Sequence, residues 1–164
     1  MGNDAAAPGE RILGLWRSLE RWPGGDRLFS SLLGLLVPYS GGIRPRVRHL
    51  EPGRCRVEMK ERRRVRNHLN SVHATALVTL GELATGLATL TALPPGVRGI
   101  VTALEVEYEK KARGLLAAQC RTDPSVPPEA GASVEHRALG EIHDEAGDRV
   151  ATVRATWRLS PPEA

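Results

Sequence analysis

Between Glu10 and Trp22 the apolar residues Ile12, Leu15, Trp16, Leu19 and Trp22 fall three or four positions apart, which predicts an amphipathic helix. Pro23-Gly24-Gly25 ends it. Asp26 is placed to cap a second helix running to about Val37, with Phe29, Leu32, Leu33 and Leu36 as its stripe. After a break at Pro38 to Gly42 the period falls to two. Arg44, Arg46 and Arg48 alternate with Ile43, Pro45 and Val47; beyond Glu51-Pro52-Gly53, the residues Arg54, Arg56, Glu58 and Lys60 alternate with Cys55, Val57 and Met59. A Pro-Gly turn between two such runs predicts a hairpin with one apolar and one guanidinium-rich face. Pro45 places its strand at a sheet edge.

A polar loop, 61–72, leads into a nearly charge-free run from Ala74 to Leu93, in which Glu82 is the one ionisable residue. Such a run predicts a long helix enclosed on all sides, capped by Asn70 or Ser71 and stopped by Pro94-Pro95-Gly96. Four strand-like runs follow, at about 98–111, 113–122, 132–143 and 149–159. In the first, Ile100, Thr102, Leu104, Val106 and Tyr108 are expected to share a face. Asp144 to Asp148 joins the last two as a hairpin, and 123–128 reads as a loop. The fold class is therefore α+β: a sheet of about six strands around one enclosed helix, with two short N-terminal helices. A disordered N-terminus is expected over 1–9 and a single domain over 10–160.

Composition narrows the functional classes. The chain has 164 residues, enough for one substantial core, and only 4% are aromatic, so that core rests on Leu, Val, Ala and Ile. Cys55 and Cys120 match no metal spacing and are too few for a disulfide framework. No metal site is expected, and both read as small buried hydrophobes. Met1 to Pro8 lacks the features of a secretion signal, and every long apolar run is broken by Gly, Thr or charge. The expectation is a cytoplasmic protein without a transmembrane segment. Net charge is +4, yet residues 44–66 hold ten Lys/Arg against three acids, which suits a solvated face or a phosphate-bearing partner. No aromatic platform accompanies the basic run, which argues against nucleic acid.

The chemistry concentrates at Asn67-His68-Leu69-Asn70-Ser71-Val72-His73-Ala74 and at Glu82. A lone acid in apolar surroundings is costly unless paired or used. His73 and His68 also have plain structural readings, as a helix cap and as a partner for loop backbone. Glu82 has one too, in an ion pair across an interface with an arginine of 62–66.

The element order and these residues together resemble the hotdog-fold acyl-CoA thioesterases over about 26–160. The resemblance is closest to the phenylacetyl-CoA thioesterase-like branch, and within it to a bacterial group with an added N-terminal helical segment. That branch has an Asn six residues before a His-Gly pair and an acid eight after the Gly; here Asn67 precedes His73 by six and Glu82 follows Ala74 by eight.

The resemblance implies a curved antiparallel sheet wrapped around the central helix. It implies catalytic roles for Asn67, His73, Ala74 and Glu82, with the Ala74 amide polarising a thioester carbonyl. Glu82 would serve as general base or nucleophile, and Asn67 would orient water or substrate. A homodimer, or a tetramer built from it, would complete each site from two subunits. The substrate would be an acyl-CoA or acyl-carrier-protein thioester, with coenzyme A as part of the substrate and no separate cofactor. Coenzyme A phosphates would meet Lys110, Lys111 and Arg113, or Arg64 and Arg66. Two departures stand out. Ala74 replaces the family's Gly, and Val101 occupies a position where some relatives have Ser or Thr. The alternatives are a binding protein for acyl-CoA or lipid without turnover, and a 3-hydroxyacyl-thioester dehydratase using His68 and Glu82.

Overall fold

The structure, a computed structural model, describes residues 8–125 and 132–161. Expectations for residues 1–7, and for part of the 123–128 loop, lie outside these. Helix α1 spans Pro8–Leu19, so Pro8 and Gly9, expected to be disordered, are helical. Helix α2 spans Gly25–Leu36 and a single-turn helix α3 spans Pro38–Gly41. The hairpin β1 (Arg46–Glu51) and β2 (Arg54–Lys60) follows, then the long helix α4 (Ala74–Ala92). Strands β3 (Arg98–Tyr108), β4 (Leu115–Arg121), β5 (Val134–His143) and β6 (Arg149–Ser160) complete the order.

All strand pairs are antiparallel in one sheet ordered β1-β2-β4-β5-β6-β3. Helix α4 touches every strand of it. The enclosed helix and surrounding sheet are as the sequence pattern requires, and this is the hotdog architecture. The approach is close because Gly81 has no side chain: a Cβ there would lie 2.5 Å from Val153 Cγ2. A Cβ on Gly9 would likewise strike the backbone carbonyl of Leu90, so α1 rests directly on the C-terminal part of α4. At 19 residues with mean hydropathy 1.3, α4 has the length and composition of a membrane span, against the expectation that no run does. Here it is a core helix, 72% buried within the protein.

Three local expectations change. Asp26 does not cap α2, because Gly24 takes that position in the left-handed region (φ 77°) with no side-chain cap. Instead Asp26 Oδ2 accepts hydrogen bonds from Arg46 Nε and Arg48 Nη1, both at 2.6 Å. Ser30 Oγ meanwhile accepts the Val47 amide at 2.9 Å, so α2 is pinned to β1. The first strand begins at Arg46 rather than Ile43, since Arg44 is left-handed (φ 49°). Edge placement of β1 is as Pro45 suggests.

The third change is in β3. A bulge between Val101 and Ala103 shifts its register against β6. Cross-strand partners share a face, so Val101, Leu104 and Val106 face inward opposite Trp157, Ala155 and Val153. Ile100, grouped with the inward residues by simple alternation, turns outward and is 54% exposed.

Burial pushes the Asp26 carboxyl up, but Arg46 and Arg48 outweigh it and hold it below its ordinary value. Stability from such a group is present above the unfolded pKa and lost as pH falls through the folded one. Asp26→Asn is expected to lower the unfolding free energy at pH 7 by about 1 kcal/mol, given partial exposure of the pair. Urea titration should show that deficit shrinking as pH falls below the ordinary carboxyl value of 3.8 and vanishing only at the lower pH where the native carboxyl is protonated too.

Candidate active site at the start of the central helix

The loop before α4 is built by its own polar residues. Asn67 Oδ1 accepts from the amides of Leu69 (2.9 Å) and Ser71 (3.2 Å) and from Ser71 Oγ (3.2 Å). The Asn67 amide donates to Ser71 O at 2.8 Å, and Asn70 turns the chain in the left-handed region (φ 53°). With its carbonyl occupied, Asn67 has only its side-chain NH₂ left to offer a ligand.

Neither Asn70 nor Ser71 caps the helix. His73 does: its Nδ1 accepts the Thr75 amide at 3.2 Å and lies 2.8 Å from Thr75 Oγ1. Both contacts are satisfied when Nδ1 carries no proton. The Ala76 amide reaches His73 O at 3.0 Å. The Ala74 amide is left with no acceptor among the described residues. One unpaired donor therefore sits on the positive end of a 19-residue helix, in an exposed position. Tyr108, at the end of β3, donates its phenol to Ala74 O at 3.2 Å and walls the same spot.

Glu82 lies two turns further along α4, half-buried, with no hydrogen bond or ion pair among the described residues. Burial raises its carboxyl above the ordinary value. Thr75, Val78 and Glu82 recur at helical spacing and form the incompletely buried stripe of α4, whereas residues 83–89 are all buried. Eight residues separate Ala74 from Glu82, an axial rise of about 12 Å. The donor and the acid of one chain therefore cannot hold the same carbonyl carbon.

The two basic groups foreseen from sequence converge here. The Glu61 amide bonds Gly114 O at 2.7 Å and the Val72 amide bonds Ala112 O at 2.9 Å, so segments 61–72 and 110–114 run side by side. Their charges are not equally free. Lys110 pairs with Asp144 and Asp148, both at 2.7 Å, and Arg66 with Glu61 at 2.6 Å. Arg64, Lys111 and Arg113 make no ion pair among the described residues. A cleft of about 280 Å³ runs from Arg64, His73, Thr75 and Thr79 to Tyr39 of α3, so the N-terminal helical segment forms one wall beside the first turns of α4; Asn67, Ala74 and Glu82 do not line this cleft.

His68 is exposed, and no hydrogen bond joins it to Glu82. Among the described residues no group of His, Cys, Asp and Glu could hold a metal ion. Cys55 and Cys120 are cross-strand partners, buried and reduced. Sequence reasoning missed Thr75 and Tyr108. Thr75 was hidden in the charge-free run, and Tyr108 reads as one more residue of an alternating strand.

Residues 25–159 match the family described as a domain of unknown function, DUF4442. No curated protein matches the sequence. Among solved structures, a Pseudomonas aeruginosa protein described as of unknown function and a probable thioesterase is 28% identical. Its TM-score is 0.71, over 86% of this chain and 97% of that one. A Haemophilus influenzae thioesterase, 15% identical, has a TM-score of 0.65 over 79% of this chain and 88% of its own. A mutant of the phenylacetic acid degradation protein PaaI from Thermus thermophilus, 20% identical, has a TM-score of 0.62 over 74% and 97%. At those lower identities the likeness is one of fold. The chain belongs to the DUF4442 family and shares the hotdog fold with thioesterases.

Proposed function

We propose that the protein hydrolyses acyl-CoA thioesters to a free acid and coenzyme A, working as a homodimer. The observation that carries this is the unpaired Ala74 amide on the same helix as the unpartnered acid Glu82. The amide suits the oxyanion of a tetrahedral intermediate. Glu82 suits the proton of an attacking water, or direct attack through a transient anhydride. The free NH₂ of Asn67 orients the water or the carbonyl, and His73 fixes the geometry of the first turn. Arg64, Lys111 and Arg113 are the cations left to meet coenzyme A phosphates. The name of the 28% identical relative supports the reaction class.

The 12 Å gap within one chain favours a shared site, in which Ala74 of one copy faces Glu82 of another. Strand β3 supports this. It is an 11-residue edge whose inward-facing Leu104 and Tyr108 are each more than 40% exposed. Natural proteins seldom leave such an edge bare. Val78 and Glu82 on α4 lie inside the same sheet face, ready to be covered with it.

Release of coenzyme A from a panel of acyl-CoAs tests the reaction. Glu82→Gln is expected to lower kcat/KM by about 100-fold or more; retention of activity within tenfold would overturn the assigned base. With Glu82 as base, wild-type kcat/KM falls on acidification, with an inflection above the ordinary carboxylate value of 4.5. The same raised pKa gives the opposite trend in stability. The folded state holds the Glu82 proton longer, so stability is full below the unfolded pKa and falls as pH rises through the folded one. Glu82→Gln should therefore melt a few degrees higher than wild type at pH 7.

His73→Ala separates geometry from chemistry. Loss of the cap should cost about 1 kcal/mol in urea titration, and His73→Ser should restore most of it together with the activity. A His73→Ser variant that folds stably but is as inactive as Glu82→Gln would assign His73 a chemical role instead.

A further inference from the structure

Trp157 takes no part in the reaction as described, yet it lies immediately behind Glu82. It faces inward from β6, is 4% exposed, and pairs across the sheet with Val101. One turn beyond Glu82, on the same side of α4, stands Gly86. The position that a Cβ would take there lies 3.2 Å from Trp157 Cη2, 3.4 Å from Cζ2, and 3.8 Å from Glu82 Oε1. The carboxylate and the ring edge thus converge on one bare stretch of helix. The indole N–H has no hydrogen-bond partner among the described residues, which leaves packing to hold the ring.

Immediately beyond Glu82, residues 83–89 of the helix are all buried. Leu87, Ala88 and Thr89 are buried, α1 rests on Leu90, and Gly99 of β3 brings Leu90 and Leu93 together with Leu159. Among the described residues, α4 therefore offers no exposed position between Glu82 and Leu90.

Resting on the thioesterase reading, we infer that Trp157, seated on Gly86, is the end wall of the acyl pocket and restricts the enzyme to short acyl groups. A thioester carbonyl at Glu82 has one helical turn before the ring, about 5.4 Å, which at roughly 1.3 Å per bond admits chains of up to about five carbons. Gly86 matters because its missing side chain lets the ring come down behind the acid. The ring and Glu82 belong to the same chain, so the wall does not depend on how a second copy supplies the oxyanion donor.

Two readouts on purified protein, across chain lengths from two to sixteen carbons, test this. One is kcat/KM for acyl-CoAs. The other is calorimetric affinity for S-alkyl-CoA thioethers, which cannot be hydrolysed. Wild type should lose at least tenfold in both between four and eight carbons. Trp157→Ala should raise the ratio of decanoyl to butyryl kcat/KM by roughly 10- to 200-fold. Gly86→Ala, which sets a methyl against the ring and guards against a Trp157→Ala chain that fails to fold, should move the cut-off to shorter chains.

Equal wild-type turnover of butyryl- and palmitoyl-CoA would overturn the inference while leaving the thioesterase reading intact. So would a folded Trp157→Ala or Gly86→Ala enzyme with an unchanged length profile. Length-limited thioether binding with no hydrolysis of any acyl-CoA would support the wall and refute the thioesterase reading. Binding of no chain length would overturn both.

Discussion

Helix α4 carries apolar residues on every side, and a chain with such a helix must surround it. The six strands do so, with Gly81 allowing the sheet to close to van der Waals distance. What cannot be enclosed is the first turn, whose amide groups have no partners of their own. The His73 side chain satisfies one and its carbonyl two more, those of Ala76 and Leu77, which leaves the Ala74 amide without a partner among the described residues. Core packing and candidate chemistry thus have one origin. A helix apolar enough to be swallowed by its sheet still has to present its positive end to solvent.

The same constraint governs Glu82. Half-buried and unpaired, its carboxyl is pushed up by desolvation, which in an isolated chain is only a loss of stability. The loss is reasonable where the carboxylate is needed as a base. The N-terminal helices add to the enclosure: α1 rests on the C-terminal part of α4, and Tyr39 of α3 borders the cleft beside its first turns.

Much of this was legible in the order of residues. The charge-free run, the Pro-Gly hairpin and the alternating strands suffice for the architecture, and the spacing of Asn67, His73, Ala74 and Glu82 singles out the residues on which the proposed site rests. The failures are local and physical. Asp26 has the right identity for a cap, but two arginines on a neighbouring strand bind it more strongly than a helix end would. The capping role passed over Asn70 and Ser71, since Asn67 had already recruited the latter. Alternation misplaced Ile100, because a one-residue bulge leaves no mark in a period-two pattern. The basic residues look alike in sequence; only in three dimensions do Asp144, Asp148 and Glu61 claim Lys110 and Arg66.

The central claim is that one site takes its oxyanion donor from one copy and its acid from another. Ala74→Pro removes that donor alone. Proline is favoured at the first helical position, and His73 already has the extended backbone (φ −64°, ψ 140°) that a following proline requires. Ala74→Pro and Glu82→Gln, each inactive by itself, should be dissociated, mixed in equal amounts and allowed to reassociate. Half the dimers would then hold one intact site out of two, and activity should return to about a quarter of wild type. A mixture as inactive as its components, with exchange of subunits verified, would contradict the account.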